Sequence, residues 1–423
     1  MDILEFDRFD MLKKPIRQRH FLRPVTWLLS YPAVWAHRVK IIKVGMQGIK
    51  PPYLLLCNHN SFIDFKVTTA AIFPHRANYI VAIDGFIGRE WLLRNVGCIC
   101  KRKFTNDTVM IRHMKKVAEN GDVIVLYPEA RYSLCGTNAV LPDSLGKLAK
   151  LLKIPVVSLI MHGHHVNSPF WNLKNRKVKP MEAVLTHLIT KEEAATLDYE
   201  EINDRINTAF KYDDFAWQKD RNIRISYPDR AKGLHKVLYH CPNCHTQYYM
   251  MSDGNKLWCD SCKKEWEMSE YGELSAINGE TEFTHIPDWY EWEREQVRME
   301  IESGTYRFES EVNVDTLPNT KGFINLGKGK LTHDINGFVL EGEYEGTPYS
   351  VTFNAKSLYS CHIEYNYLGK HGDCIDLNTL TDTYYIYPQC NHFSVTKIAL
   401  ATEEIYKIWR TSHVKVILSQ QNA

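Results

Sequence analysis

A histidine and an aspartate with four residues between them, in Asn58-His59-Asn60-Ser61-Phe62-Ile63-Asp64, follow the apolar run Leu54-Leu55-Leu56-Cys57. A polar cluster directly after a buried strand sits where α/β sheets build their sites. Asn60 or Ser61 is placed to cap the following helix, with His59 at its mouth and Asp64 about one turn in. A carboxylate there fixes one ring nitrogen of His59 and leaves the other as a base. The chain has no Gly-x-Ser-x-Gly elbow and no obvious cysteine–histidine pair. The pair therefore points to direct base catalysis on an incoming hydroxyl, without a covalent acyl-enzyme. At this spacing, the same two residues also serve as ordinary capping or core groups.

A second constellation lies far downstream. Cys241-Pro-Asn-Cys244 and Cys259-Asp-Ser-Cys262 are two Cys-x-x-Cys knuckles with 14 residues between them. Such knuckles converge into a closed tetrahedral S₄ site, which suits Zn²⁺ in a structural role because no coordination position stays open. A zinc ribbon over 236–270 is the expectation. Around it, Lys256, Lys263 and Lys264 are offset by Asp253, Asp260, Glu265 and Glu267. The ribbon thus lacks the basic run that nucleic acid requires, and a spacer or protein-docking role with an unidentified partner fits better.

The elements that must position these groups show in the apolar pattern. Unbroken apolar runs at 53–58, 78–83, 122–128 and 154–161 predict buried strands, and helical spacing falls at 61–73, 106–120 and 143–153. This alternation predicts an α/β domain over 41–235, with a mostly parallel sheet and flanking helices. Residues 190–220 are read as one closing helix. A charged amphipathic helix is expected within 284–306 as a solvated connector, with Trp289 and Trp292 packing inward. The segment 307–423 reads as a β-rich domain with a terminal helix near 401–412. That succession faintly resembles pleckstrin-homology-like domains.

Three further motifs extend the first. Gly97-Cys98-Ile99-Cys100-Lys101-Arg102-Lys103 is a glycine, an apolar run and an arginine. Tyr127-Pro128-Glu129-Ala130-Arg131-Tyr132-Ser133 and Ile154-Pro155-Val156-Val157 follow in order. With the NHxSxxD pattern at 58–64, this order resembles the glycerolipid acyltransferase family typified by 1-acylglycerol-3-phosphate acyltransferase, over roughly 20–220. The resemblance implies a lysophospholipid acceptor and an acyl thioester donor, on coenzyme A or acyl carrier protein. It implies His59 as general base oriented by Asp64, with Ser61, Arg102, Lys103, Glu129 and Arg131 on the acceptor. The third motif departs from the usual FPEGTRS: Ala130 replaces the glycine, and Arg131 stands one place early, leaving Tyr132 in the arginine's slot. A tyrosine cannot replace an arginine fork on phosphate.

Charge and composition set the wider frame. The 423 residues carry a net charge of +2, but residues 1–180 hold 28 Lys+Arg against 12 Asp+Glu, and the remainder 24 against 38. Only the front half seeks an anionic partner. In 1–40, basic residues precede an apolar stretch from Val25 to Ala36 that is too short to cross a bilayer. It is expected to lie on a membrane surface, with Trp27 and Trp35 near headgroup level. Pro24 and Pro32 argue against one clean helix. With no basic-then-apolar leader, the expectation is a cytoplasmic protein peripheral on the inner face of the membrane. Met161-His162-Gly163-His164-His165 reads as strand-end histidines, hydrogen-bonded or solvated, rather than as a metal site.

Overall fold

The structure, a computed structural model, describes residues 5–369 and 371–421, with side chains to 411; the outermost residues of the expected segments 1–40 and 307–423 lie outside them. The N-terminal half is an α/β layer. Its elements run α1 (Arg23–Ala36), β1 (Lys40–Val44), β2 (Leu54–Cys57), α2 (Asp64–Ala71), β3 (Ala77–Ala82), α3 (Glu90–Asn95), β4 (Ile99–Lys101) and α4 (Thr108–Glu119). There follow β5 (Val123–Leu126), α5 (Leu145–Leu152), β6 (Val156–His162), α6 (His164–Asn167) and β7 (Glu182–Ile189). The strands pair in the order β1-β7-β6-β2-β5-β3-β4. Every pairing is parallel except β6 with β7. Strands β2 and β5 are buried at every position, as befits strands covered on both faces.

Two local expectations change. The stretch 190–220 is not one helix but three: α7 (Lys191–Thr196), α8 (Tyr199–Ala209) and α9 (Asp214–Asp220). Each begins behind a polar residue in extended conformation, at Thr190, Asp198 and Asp213. Thr190 and Glu193 form a reciprocal capping box, and Asp213 accepts from the amides of Phe215 and Ala216. Short polar side chains competing for backbone groups thus cut the pattern into pieces. Conversely, α1 is a single helix: Pro24 sits in its first turn, where no donor is needed, and Pro32 is accommodated inside.

Strands β8 (Met250–Asp253), β9 (Lys256–Cys259), β10 (Glu265–Met268) and β11 (Leu274–Ala276) form an antiparallel sheet around the cysteine knuckles. It packs on α10 (Ile286–Glu302) through Trp266 and Trp289, whose ring centroids are 5.0 Å apart. Trp289 is fully buried, as are Glu293 and Val297, so α10 is an interior strut rather than a solvated connector.

The last third is a seven-stranded antiparallel meander. It comprises β12 (Phe308–Thr316), β13 (Ile324–Asp334), β14 (Gly337–Tyr344), β15 (Thr347–Asn354), β16 (His362–Glu364), β17 (Cys374–Asn378) and β18 (Thr383–Pro388), followed by α11 (Val395–Gln421). The order β15-β14-β13-β12-β18-β17-β16 pairs the first strand with the last. Helix α11 is longer than expected and packs on α10 and β16. One apolar cluster joins Phe104 and Val166 of the first half to Trp266, Trp289, Ile386 and Ile398.

Candidate active site

The loop between β2 and α2 is folded around one carboxylate. Asp64 Oδ2 accepts from the amides of Asn60 and Ser61 at 2.6 and 2.9 Å and meets His59 Nδ1 at 3.0 Å. Asn60 and Ser61 therefore do not cap α2 as expected; the first residue of the helix gathers their amides instead. Asp64 Oδ1 meets His164 Nδ1 at 2.6 Å. Burial disfavours the charge, yet the hydrogen bonds of His164 and His59 hold the carboxyl well below the usual carboxylate range. An ionised carboxylate only accepts, so Nδ1 of His59 is the donor and its Nε2 carries the free lone pair.

His59 stands in the wall of a cavity of about 940 Å³, between the rings of Tyr127 and Tyr132, each with its centroid 4.4 Å away. The cavity runs from α1 (Val25, Leu29) to Leu148 on α5, and on to Tyr359 and Tyr406 of the last third. Ser61 also lines it, and its buried hydroxyl has no hydrogen-bond partner among the described residues. Asn58 positions the loop from behind, its amide bonded to both the carbonyl and the amide of Met161.

Glu129 does not face an acceptor. It is fully buried, with Oε1 accepting from the amide of His59 at 3.3 Å and Oε2 from that of Ala139 at 2.9 Å. The Ser133 amide in turn donates to the His59 carbonyl at 2.8 Å. The third motif is thereby stitched to the first. Ala130 has φ of 55°, the left-handed conformation glycine adopts freely; alanine keeps the turn at a cost of roughly 1–2 kcal/mol. At Gly97 no such replacement fits, because a Cβ there would stand 2.7 Å from Asn78 Nδ2.

The expected phosphate cradle is also corrected. Arg102 is buried, donating to the carbonyls of Leu317 and Pro318 (both 2.9 Å) and to Thr383 Oγ1 (2.7 Å). Lys103 pairs with Asp376 at 3.0 Å and Asp84 at 3.3 Å. Arg131 donates to Glu403 on α11 at 2.7 Å, and Arg294 of α10 takes the other oxygen of Glu403 at 2.7 Å. Lys103 and Arg131 do reach the cavity wall, with their charges already matched by carboxylates. Nε and Nη1 of Arg131 have no hydrogen-bond partner among the described residues. These cations tie the second and third motifs to the C-terminal third. Nothing in their local sequence announces partners more than two hundred residues away.

Sequence reasoning missed three features. His164 had been set aside with the strand-end histidines. Tyr132, noted only as a lost arginine, forms one side of the His59 slot. The C-terminal third, including His362 and Glu364, closes part of the cavity.

Among known families, residues 38–162 match the acyltransferase family. The chain carries an acyltransferase domain. The match spans all four motifs, so the resemblance read from them holds. No curated protein matches the chain. The crystal structure of the 1-acyl-sn-glycerophosphate (LPA) acyltransferase PlsC from Thermotoga maritima is 13% identical, with a TM-score of 0.38 over 45% of this chain and 77% of that one. That likeness is too slight to decide fold or activity.

Beyond the acyltransferase domain, Cys241, Cys244, Cys259 and Cys262 converge, with all four sulfurs within 4.8 Å of one another and none in a disulfide. The Sγ separations of 3.7 Å (Cys241–Cys262) and 3.8 Å (Cys244–Cys259) fit tetrahedral zinc, whose thiolates at about 2.3 Å stand about 3.8 Å apart.

Proposed function

We propose that the chain is an O-acyltransferase moving a fatty acyl group from a thioester to the hydroxyl of a lysophospholipid such as 1-acylglycerol-3-phosphate. The observation that carries the reading is His59, held at Nδ1 by buried Asp64 and open at Nε2 beside a lipid-sized cavity. Nε2 takes the proton of the acceptor hydroxyl as its oxygen attacks the thioester carbonyl. The tetrahedral oxyanion collapses, the C–S bond breaks, and the leaving thiolate takes the proton back from the imidazolium. The donor is an acyl thioester on coenzyme A or acyl carrier protein. Ser61, Lys103 and Arg131 remain the groups placed to meet the acceptor's polar end.

The apolar rim supports work at a lipid surface. Phe21, Leu28, Leu29 and Trp35 on and beside α1 are exposed, as are Phe62 and Trp91. Among the described residues no helix is long and apolar enough to cross a membrane. That rim and its flanking cations support the reading of peripheral attachment through the segment 1–40, on the inner face. In the remaining organisation, 41–235 catalyses, 236–270 holds structural zinc, 284–306 struts the molecule, and 307–423 is a pleckstrin-homology-like wall of the cavity.

The test is incubation of the full chain with labelled acyl-CoA or acyl carrier protein and a panel of lysophospholipids. Product formed by the wild type and lost in His59→Ala is the expected result. A second reading, a non-catalytic lipid- or partner-binding scaffold with a degenerate acyltransferase domain, is favoured by the diversion of Arg102 from phosphate. It predicts lipid retention without product from any donor.

A further inference from the structure

We infer that His164 is a positioning residue of the active site, holding the second oxygen of the catalytic carboxylate. The inference rests on His59 being the general base. A carboxylate with one oxygen bound can swing about its own bond. Here both are occupied, Oδ2 by His59 and two amides, and Oδ1 by His164 Nδ1 at 2.6 Å. Both Asp64 and His164 are completely buried, so neither has solvent as an alternative partner. His164 Nε2 has no hydrogen-bond partner among the described residues, so the ring's nitrogens bond only to the carboxylate.

The backbone around His164 is built to aim it. Gly163 takes φ of 86° directly after β6, and a Cβ there would stand 2.8 Å from the Trp217 ring. Asp214, at the start of α9, accepts from the amides of both neighbours, Gly163 at 3.1 Å and His165 at 2.8 Å. The chain from α9 through the turn to His164, Asp64 and His59 is a continuous set of hydrogen bonds. It carries the rigidity of the domain's edge to the reacting nitrogen. Besides each other, the titratable groups facing these three are Cys57, Tyr127, Glu129, Tyr132, Tyr212 and His37.

The test compares His164→Phe, which keeps the ring volume, with His164→Asn, whose amide nitrogen replaces Nδ1 as donor. In His164→Phe, kcat falls by about 10- to 100-fold with KM little changed. The acid limb of its kcat/KM profile moves to higher pH, because the carboxylate's charge then falls more fully on His59. His164→Asn restores most of the rate and the profile. A wild-type rate and profile in His164→Phe overturns the inference, as does a His164→Asn no better than the phenylalanine variant. Should His164→Phe not fold, His164→Ala is assayed with and without added imidazole; rescue supports the role and no rescue overturns it. His59→Ala, run in parallel, separates the two levels. Its inactivity beside an unaffected His164→Phe overturns the positioning role alone, and its retained turnover overturns the general-base reading as well.

Discussion

At Glu129, burial pushes the carboxyl up to about 8, while the amides of Ala139 and His59 draw it the other way. A raised folded-state value means that the stabilising, protonated form is fully populated below the unfolded value of about 4.3. Its contribution is lost as pH climbs through about 8. Thermal unfolding between pH 5 and 8 should therefore show a falling melting temperature, and Glu129→Gln should flatten the fall. At His59, truncation to Ala should reduce turnover by at least about 10²-fold with an unchanged circular dichroism spectrum. Turnover near the wild-type rate would remove His59 from the reaction. The His59–Asp64 arrangement is readable in the sequence because its partners lie five positions apart on one loop. The diversion of Arg102 and the contribution of His164 are not, since each depends on a partner about a hundred or more positions away.

Elements follow the same division. The buried strands were legible because apolar runs without alternation have few other solutions in an α/β layer. The segment 190–220 was not, because the side chains of Thr190 and Asp213 each cap a new helix and the backbone turns extended at Asp198 between them. The terminal helix was visible, but not the burial of its two glutamates, which hold Arg131 of the third motif and Arg294 of α10. Removing one partner from such a cluster leaves buried charge uncompensated. Glu403→Gln should lower unfolding free energy by about 3–5 kcal/mol, measured from urea midpoints. Around the knuckles, metal analysis should find about one zinc per chain. Cys259→Ser should abolish it and lower the melting temperature, and a metal-free protein of normal stability would refute the site.

For the whole molecule, the basic front half and acidic remainder foreshadowed an oriented surface, and the exposed rim of α1 gives that orientation an apolar component. Burying a leucine and a tryptophan in lipid is worth about 1.5–3 kcal/mol each. The pair Leu28→Glu and Trp35→Glu should therefore weaken binding to anionic vesicles by on the order of 10²-fold or more in a flotation assay. Turnover of a short-chain, micellar acceptor should hardly change. Equal loss on vesicles and on micelles would place the rim in the fold or the cavity rather than at the lipid surface.

The pairing of Arg131 with Glu403 spans 272 residues of chain. During synthesis, the loop carrying Tyr132 emerges long before the helix that will hold its neighbour, and the last strands of the meander reach Arg102 equally late. A ribosome-bound chain can therefore possess every motif of the first half and still lack a finished binding slot. A product terminated before α11 should therefore keep the exposed rim of α1 and yet lack the finished slot beside His59.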